Sequence, residues 1–258
     1  MTTDANRRLL GTRSPAVCLY VQAQLSHDWN GAAGKSTQMR LQGPRVTIRP
    51  MERTDVVAMM RWRRFADPMY QPFDFPRQSQ AEHLRWFEWR SKDPSRRLCT
   101  IEDEFHRVIG SLTLREINGR KSARLGITIG ADFVSQGYGT EALELFLDHY
   151  FDEMGFQRMI LDVAATNLRA VRCYRALGFR QSGYHYRSAT ESSYRILQEE
   201  PQYRHLRRFF RRQGMVTQVM FYDMVLGCDE WRAHSNRQIS TDSIKNREGE
   251  PTPQSHME

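Results

Sequence analysis

Gly126-Ile127-Thr128-Ile129-Gly130 leads into Val134-Ser135-Gln136-Gly137-Tyr138-Gly139-Thr140-Glu141. The first run reads as a strand, and the two glycines one residue apart read as a loop. An apolar stripe at Ala142, Leu143, Phe146, Leu147 and Tyr150 then predicts a helix over 139–151, stopped by Gly155. Such a junction suits an anion. Glycine lets the main chain approach a ligand closely. The first amides of a helix have no partner inside it, and its dipole is positive at that end, so a diphosphate fits there. An ordinary strand–turn–helix can also carry Gly-x-Gly, so the junction alone leaves both readings open.

Working outward, residues 159–164 predict a short strand. Asn167 caps a helix running to Leu177 and ended by Gly178. Within Asn167-Leu168-Arg169-Ala170-Val171-Arg172-Cys173-Tyr174-Arg175-Ala176-Leu177-Gly178-Phe179, the side chains of Asn167, Ala170 and Tyr174 share one helical face. Read from the residues alone, Asn167 is also explained as a plain cap and Tyr174 as a core aromatic. Further strands are expected at 179–187 and 216–226.

Toward the N-terminus, Arg45-Val46-Thr47-Ile48-Arg49 alternates and meets Pro50, a strand end. Thr54 and Asp55 predict the cap of a helix over 56–65, stopped by Pro68. Ser79-Gln80-Ala81-Glu82 is a capping box that opens a second helix. Strand-like runs at 97–102, 108–115 and 123–129, with turns at 102–106 and Asn118-Gly119, suit an antiparallel meander.

Taken in order, these motifs resemble the GCN5-related N-acetyltransferase (GNAT) superfamily. The opening Val46-Thr47-Ile48-Arg49-Pro50, Arg61-Trp62-Arg63 and Val108-Ile109-Gly110-Ser111-Leu112 are similar to its RimJ/RimL-like branch of ribosomal-protein N-terminal acetyltransferases. The likeness covers about residues 45–187 plus a strand at 216–226. It implies an α/β fold: a single domain with a splayed, mixed central sheet flanked by helices.

The resemblance further implies acetyl-CoA as co-substrate and a primary amine, a protein N-terminus or a small molecule, as acceptor. The strand carrying Ile127 and Ile129 would splay from its parallel neighbour at 159–163, and the pantetheine arm would pair with the main chain in the opening. The diphosphate would rest on the amides of Gln136, Gly137, Tyr138, Gly139 and Thr140, and Asn167 would bind the amide arm. Tyr174 would protonate the departing thiolate, a feasible role for a phenol of ordinary pKa about 10.

Two positions depart from the family pattern. Val134 stands where Arg or Gln is common, and Arg124 stands where related sequences often carry a glutamate that takes the amine's proton. Glu116 and Asp74 are alternatives for that role, and no base is assigned.

Composition bounds the rest. Apolar residues make up 40% of the 258 and charged residues 26%, which suffices for a packed core and argues against wholesale disorder. No run approaches the roughly 20 apolar residues of a membrane span, and no leader is read at the start. The expectation is a cytoplasmic protein without a membrane partner, monomeric or homodimeric. Cys18, Cys99, Cys173 and Cys228 lie far apart with no C-x-x-C spacing, so reduced thiols and no metal are expected. Gly31-Ala32-Ala33-Gly34-Lys35-Ser36-Thr37 is rejected as a phosphate loop, because Trp29 stands where the first glycine is required.

Residues 1–43 read as a flexible extension with at most one short element at 16–25, 44–228 as the domain, and 229–258 as a disordered tail. The net charge is +8, and all but four of the 38 basic residues (Lys35, Lys92, Lys121, Lys245) are arginine. In an insertion at about 188–214, the stretch 195–212 holds six arginines, at positions 195, 204, 207, 208, 211 and 212, against Glu199 and Glu200. This segment reads either as a positive arm at one wall of the acceptor cleft or as a solvated helix docked through Leu206, Phe209 and Phe210, with Pro201 interrupting any long helix. Two alternatives to an active enzyme follow. One is a silent acetyl-CoA-binding module, and the other a nucleic-acid-binding protein that uses the arginine-rich insertion.

Overall fold

A computed structural model describes residues 39–236. The extension before Met39, with Cys18 and the rejected phosphate loop, lies outside the described residues, as does the tail from 237 on.

Strand β2 (Val46–Pro50) organises the first half of the chain. Its Val46 and Ile48 join the core, while the buried Thr47 and Arg49 alternate to the opposite face. There the guanidinium holds Asp55 through two bonds of 2.7 and 2.8 Å, and Glu102 through bonds of 2.9 and 2.7 Å. Thr100 adds a 2.8 Å bond to Asp55. This network pins helix α1 (Arg53–Met59) over the sheet. The helix starts earlier and ends sooner than the predicted 56–65. The reason is a capping box between Glu52 and Asp55, in which Asp55 accepts the Glu52 N–H at 2.7 Å. The capping box predicted for α2 (Gln80–Ser91) is present, with Ser79 and Glu82 exchanging hydrogen bonds.

Next come β3 (Arg97–Asp103), β4 (Val108–Asn118) and β5 (Ser122–Ile129), the expected antiparallel meander. After the glycine loop, α3 (Tyr138–Asp148) continues into one wide π turn at His149–Glu153 before β6 (Arg158–Ala164). Helix α4 (Leu168–Ala176) leads to β7 (Arg180–Ser188). The insertion is three short pieces: α5 (Glu191–Glu199), a 3-10 helix at Pro201–Phe209, and strand β8 (Phe210–Gln213). Strand β9 (Val216–Gly227) and β1 (Leu41–Gln42) complete one sheet. Its order is β1-β2-β3-β4-β5-β6-β9-β7, with β8 also on β9. Only β5 and β6 run parallel. The result is the expected mixed α/β architecture.

Both predicted domain boundaries need correction. Met39 and Leu41, assigned to the extension, are buried on the core. Residues 229–236, assigned to the tail, belong to a helix, α6 (228–236). The signal lay in one residue, Trp231. Its side chain is buried in the main core, and its indole N–H donates to Asp148 at 3.0 Å. Glu230 accepts the Gly227 N–H, which starts the helix.

Two outcomes follow. Trp231→Ala leaves a cavity at the end of α3 and should cost about 3–5 kcal/mol in urea unfolding. Burial alone would raise the Asp55 carboxyl, but Arg49, the Glu52 N–H and Thr100 outweigh it and hold it below its ordinary 3.8. Its stabilising effect is therefore present at neutral pH and lost as pH falls below that range. Asp55→Asn should flatten the acid limb of a stability-versus-pH curve.

Candidate active site

Strands β5 and β6 pair at only three positions: Ser122 with Arg158, Ala123 with Met159 and Arg124 with Ile160. Beyond Arg124 they separate. Strand β4 stays on β5 as far as Ile129, and β9 stays on β6 as far as Ala164. Residues 125–129 and 161–164 therefore flank an opening within the sheet. Ile127 and Ile129 lie along it, half-buried against the core. Side chains alternate across a strand, so Leu125, Ile127 and Ile129 face α3, while Arg124, Gly126 and Thr128 face the side of α1 and α2. On β6, Leu161 and Val163 sit in the core and Asp162 points the other way.

The glycine loop lies at the wide end of this opening. Gly137 is the N-cap of α3 with φ +88°, a left-handed conformation that glycine adopts without strain. Glu141 makes the first bond onto the cap, to the Gly137 carbonyl at 3.0 Å. The amides of Tyr138, Gly139 and Thr140 precede it and have no carbonyl partner within the helix. Gln136 and Gly137 extend the same run of main chain, and the Gln136 side chain is turned back to the Asp132 carbonyl.

Arg45, which sequence reasoning did not single out, holds the loop in place. Its Nε donates to Glu141 at 2.8 Å and its Nη1 to the Gln136 carbonyl at 3.1 Å. Its guanidinium lies 4.9 Å from the centre of the Tyr138 ring. A Cβ on Gly137 would approach Arg45 Nη2 to 2.9 Å.

Helix α4 forms the second wall. Asn167 Oδ1 accepts the Ala170 N–H at 3.2 Å, so its carbonyl serves as the helix cap. Tyr174 is buried in the same apolar cluster as Leu161 and Val163, edge-on to Phe179. Burial, reinforced by the nearby Cys173 and Asp162, pushes its phenol well above the usual range, so it keeps its proton. Thr140 Oγ1 lies 3.3 Å from Cys173 Sγ and ties the start of α3 to α4.

The loop between α1 and α2 packs against the end of β5. Trp62 donates to the Val108 carbonyl at 2.9 Å and lies so close to Gly130 that a Cβ there would come within 2.9 Å of its ring. Arg169 stacks on Tyr70 and Phe65. The insertion meets this loop, with Tyr203 donating to Asp67 at 2.7 Å and Met69 packing among Leu197, Leu206 and Phe209. Arg207, counted above as part of a positive arm, donates to the carbonyls of Leu197 and Gln198 at the end of α5.

Arg124 and Glu116 meet at 2.8 Å. Asp74 accepts the Phe65 N–H through one oxygen, while the other is buried without a hydrogen-bond donor, 3.5 Å from Arg64 Nε. Asp162 escaped notice altogether, although an acid inside Met159-Ile160-Leu161-Asp162-Val163 is itself an anomaly. Among the described residues, no three His, Cys, Asp or Glu side chains are grouped as metal ligands, and no helix is long and apolar enough to cross a membrane. A surface depression around Gly155, Arg158, Arg180 and Arg232 lies at the other end of the sheet, apart from these residues.

The model of the acetyltransferase (GNAT) domain family matches residues 45–180. Spermidine N(1)-acetyltransferase of Vibrio cholerae is 27% identical over 140 residues, which are 54% of this chain and 81% of that protein. The enzyme of the same name from Escherichia coli K12 is 28% identical over 139 residues, 54% of this chain and 74% of its own. Among solved structures, a GCN5-related N-acetyltransferase from Brucella melitensis aligns with TM-score 0.56 and 20% identity, covering 77% of this chain and 82% of that one. The Vibrio cholerae spermidine enzyme in complex with CoA and spermine aligns with TM-score 0.53 and 22% identity, covering 72% and 97%. With the family model spanning more than half its length, the chain belongs to the GNAT acetyltransferase family and is an N-acetyltransferase.

Proposed function

We propose that this enzyme moves the acetyl group of acetyl-CoA to a primary amine by direct attack of the neutral amine on the thioester. The observation that carries the reading is the end of β5–β6 pairing at Arg124 and Ile160, which opens the sheet toward the glycine loop of α3. A linear ligand with amides along its arm and a diphosphate at its end matches an unpaired strand edge that runs to a helix N-terminus.

In this reading the amides of Gln136, Gly137, Tyr138, Gly139 and Thr140 hold the diphosphate. The main chain at Ile127 and Ile129 pairs with the arm. The Asn167 carbonyl caps its helix, so its amide nitrogen is the group that donates to the arm. The amine nitrogen bonds to the thioester carbon, the carbon–sulfur bond breaks, and the sulfur leaves with the bonding pair. Tyr174 then gives its proton to that sulfur, the product amide sheds the amine's proton to water, and water returns a proton to the phenolate. The protein's part is mainly positioning.

Residues 45–50, 61–63 and 108–112 support the finer, RimJ/RimL-like reading, in which a protein N-terminus is an acceptor. The matched spermidine enzymes support a small amine. Either acceptor fits a cytoplasmic protein with the reduced thiols Cys99, Cys173 and Cys228.

Thermal shift with CoA, followed by thiol release from acetyl-CoA across an amine panel, tests the reading; no shift with millimolar CoA would sink it. Gly137→Val forces a branched residue into a left-handed cap and pushes Arg45 from its place. It should weaken CoA binding about ten-fold or more in calorimetry. Tyr174→Phe should lower kcat about 100-fold with CoA affinity unchanged. Because the phenol is pushed up, the wild-type rate should show no loss of this acid below about pH 10.

A further inference from the structure

Deepening the acetyl-transfer reading, on which it rests, we infer that the acceptor is an amine carrying carboxylates close to the reacting nitrogen rather than a polycation. The opening between β5 and β6 passes through the sheet. On one face it is closed by α3, α4 and the buried Tyr174. An acceptor therefore arrives from the other face. There α1 and α2 pack over β3 and the start of β4, through Leu98 and Val108, and leave exposed side chains on a strip that runs from the Arg115 end of β4 across to β7.

That strip is built of arginines. Arg115, Arg124 and Arg187 converge on the single carboxylate of Asp162, at 2.9, 3.1 and 2.8 Å. Asp162 is only 5% exposed, whereas the three guanidinium side chains are 32, 24 and 45% exposed. The buried acid fixes the direction of three cations and neutralises one, and Glu116 and Asp223 balance the other two in formal charge, so what the strip offers a ligand is the fixed geometry of its forks. Glu116, at the solvent edge, meets Arg124 at 2.8 Å and Arg115 at 3.7 Å. Asp223 is engaged by His185 Nδ1 at 3.1 Å, and His185 Nε2 accepts from Arg187 Nε at 3.0 Å. The arginine sites are thus oriented by their neighbours and retain N–H donors beyond those that Asp162, Glu116 and His185 engage.

Fixed guanidinium forks match carboxylates in charge and in geometry. The same forks have donors and no acceptor to offer a second or third ammonium group, and such a mismatch is as effective a source of specificity as attraction. Arg124 makes the point locally. It occupies the last paired position of β5, beside the start of the opening. The carboxylate-bearing amine has two sources, an acidic protein N-terminus or a free amino dicarboxylate.

The test uses the full chain with acetyl-CoA. Thiol release is measured with a Ser-Asp-Glu-Ala peptide, a Ser-Lys-Lys-Ala peptide, glutamate and spermidine at low and moderate salt, and binding of each to the CoA-saturated protein by calorimetry. The inference expects kcat/KM for the best acidic acceptor to exceed that for spermidine and the lysine peptide by about ten-fold or more, with the advantage shrinking as salt rises. Preference for the peptide over glutamate assigns a protein N-terminus, and the reverse a free amino acid. Arg187→Gln and Arg115→Gln should each raise KM for the acidic acceptor several-fold while leaving CoA affinity unchanged. Spermidine or the lysine peptide performing as well, or the acidic acceptors neither reacting nor binding, would overturn the inference while leaving acetyl transfer standing. Failure of CoA itself to bind would overturn both.

Discussion

Two parallel neighbours that stop pairing after three residues set up everything else in this molecule. Strands β4 and β9 hold the outer edges of β5 and β6 along their full lengths, so the two strands diverge without collapsing. The edges at 125–129 and 161–164 carry main-chain donors and acceptors in the middle of a sheet. A buried polar group left unpaired costs about 1–3 kcal/mol. A ligand that pairs with those edges stabilises the fold as it binds, so fold stability and site occupancy are linked through the same backbone groups.

The opening is useful only if its surroundings are rigid, and one short strand supplies much of that. Arg45, just before β2, holds the start of α3 through Glu141 and the Gln136 carbonyl. Arg49, on β2 itself, holds α1 through Asp55, and α1 in turn delivers Trp62 to Gly130 at the end of β5. Charge-assisted bonds in partly buried settings are stronger than neutral ones. Two arginines four residues apart thereby set the positions of helices on opposite faces of the sheet.

The two sides of the opening obey different physics. The α3 side presents main-chain amides and a buried phenol, features that side-chain substitution alters little. The α1 and α2 side presents charged side chains whose meaning depends on their neighbours. Arg124 offers a cation and no proton acceptor, and Asp162 aligns that cation with two more. The insertion follows the same rule. Its arginine count suggests a free positive arm, yet Arg207 caps α5 and the 3-10 turn docks through Leu206 and Phe209. Composition does not say which charges are already engaged.

The residues alone determined the order of elements, the meander, the glycine loop at the head of α3 and the cap at Asn167, because each is a local property: alternation, a helical stripe, a left-handed position, a capping side chain. They also determined the family, through motifs in the right order and spacing. The start of α1 moved because Glu52, not Thr54 or Asp55, closes its capping box, and α6 was missed because a polar stretch conceals one docking tryptophan. Only tertiary structure decided that β5 and β6 part after Arg124, that Arg45 reaches across 96 positions to Glu141, and that three arginines from three strands share Asp162. Those are contacts between distant segments. Their energy depends on burial and mutual geometry, which no window of sequence contains.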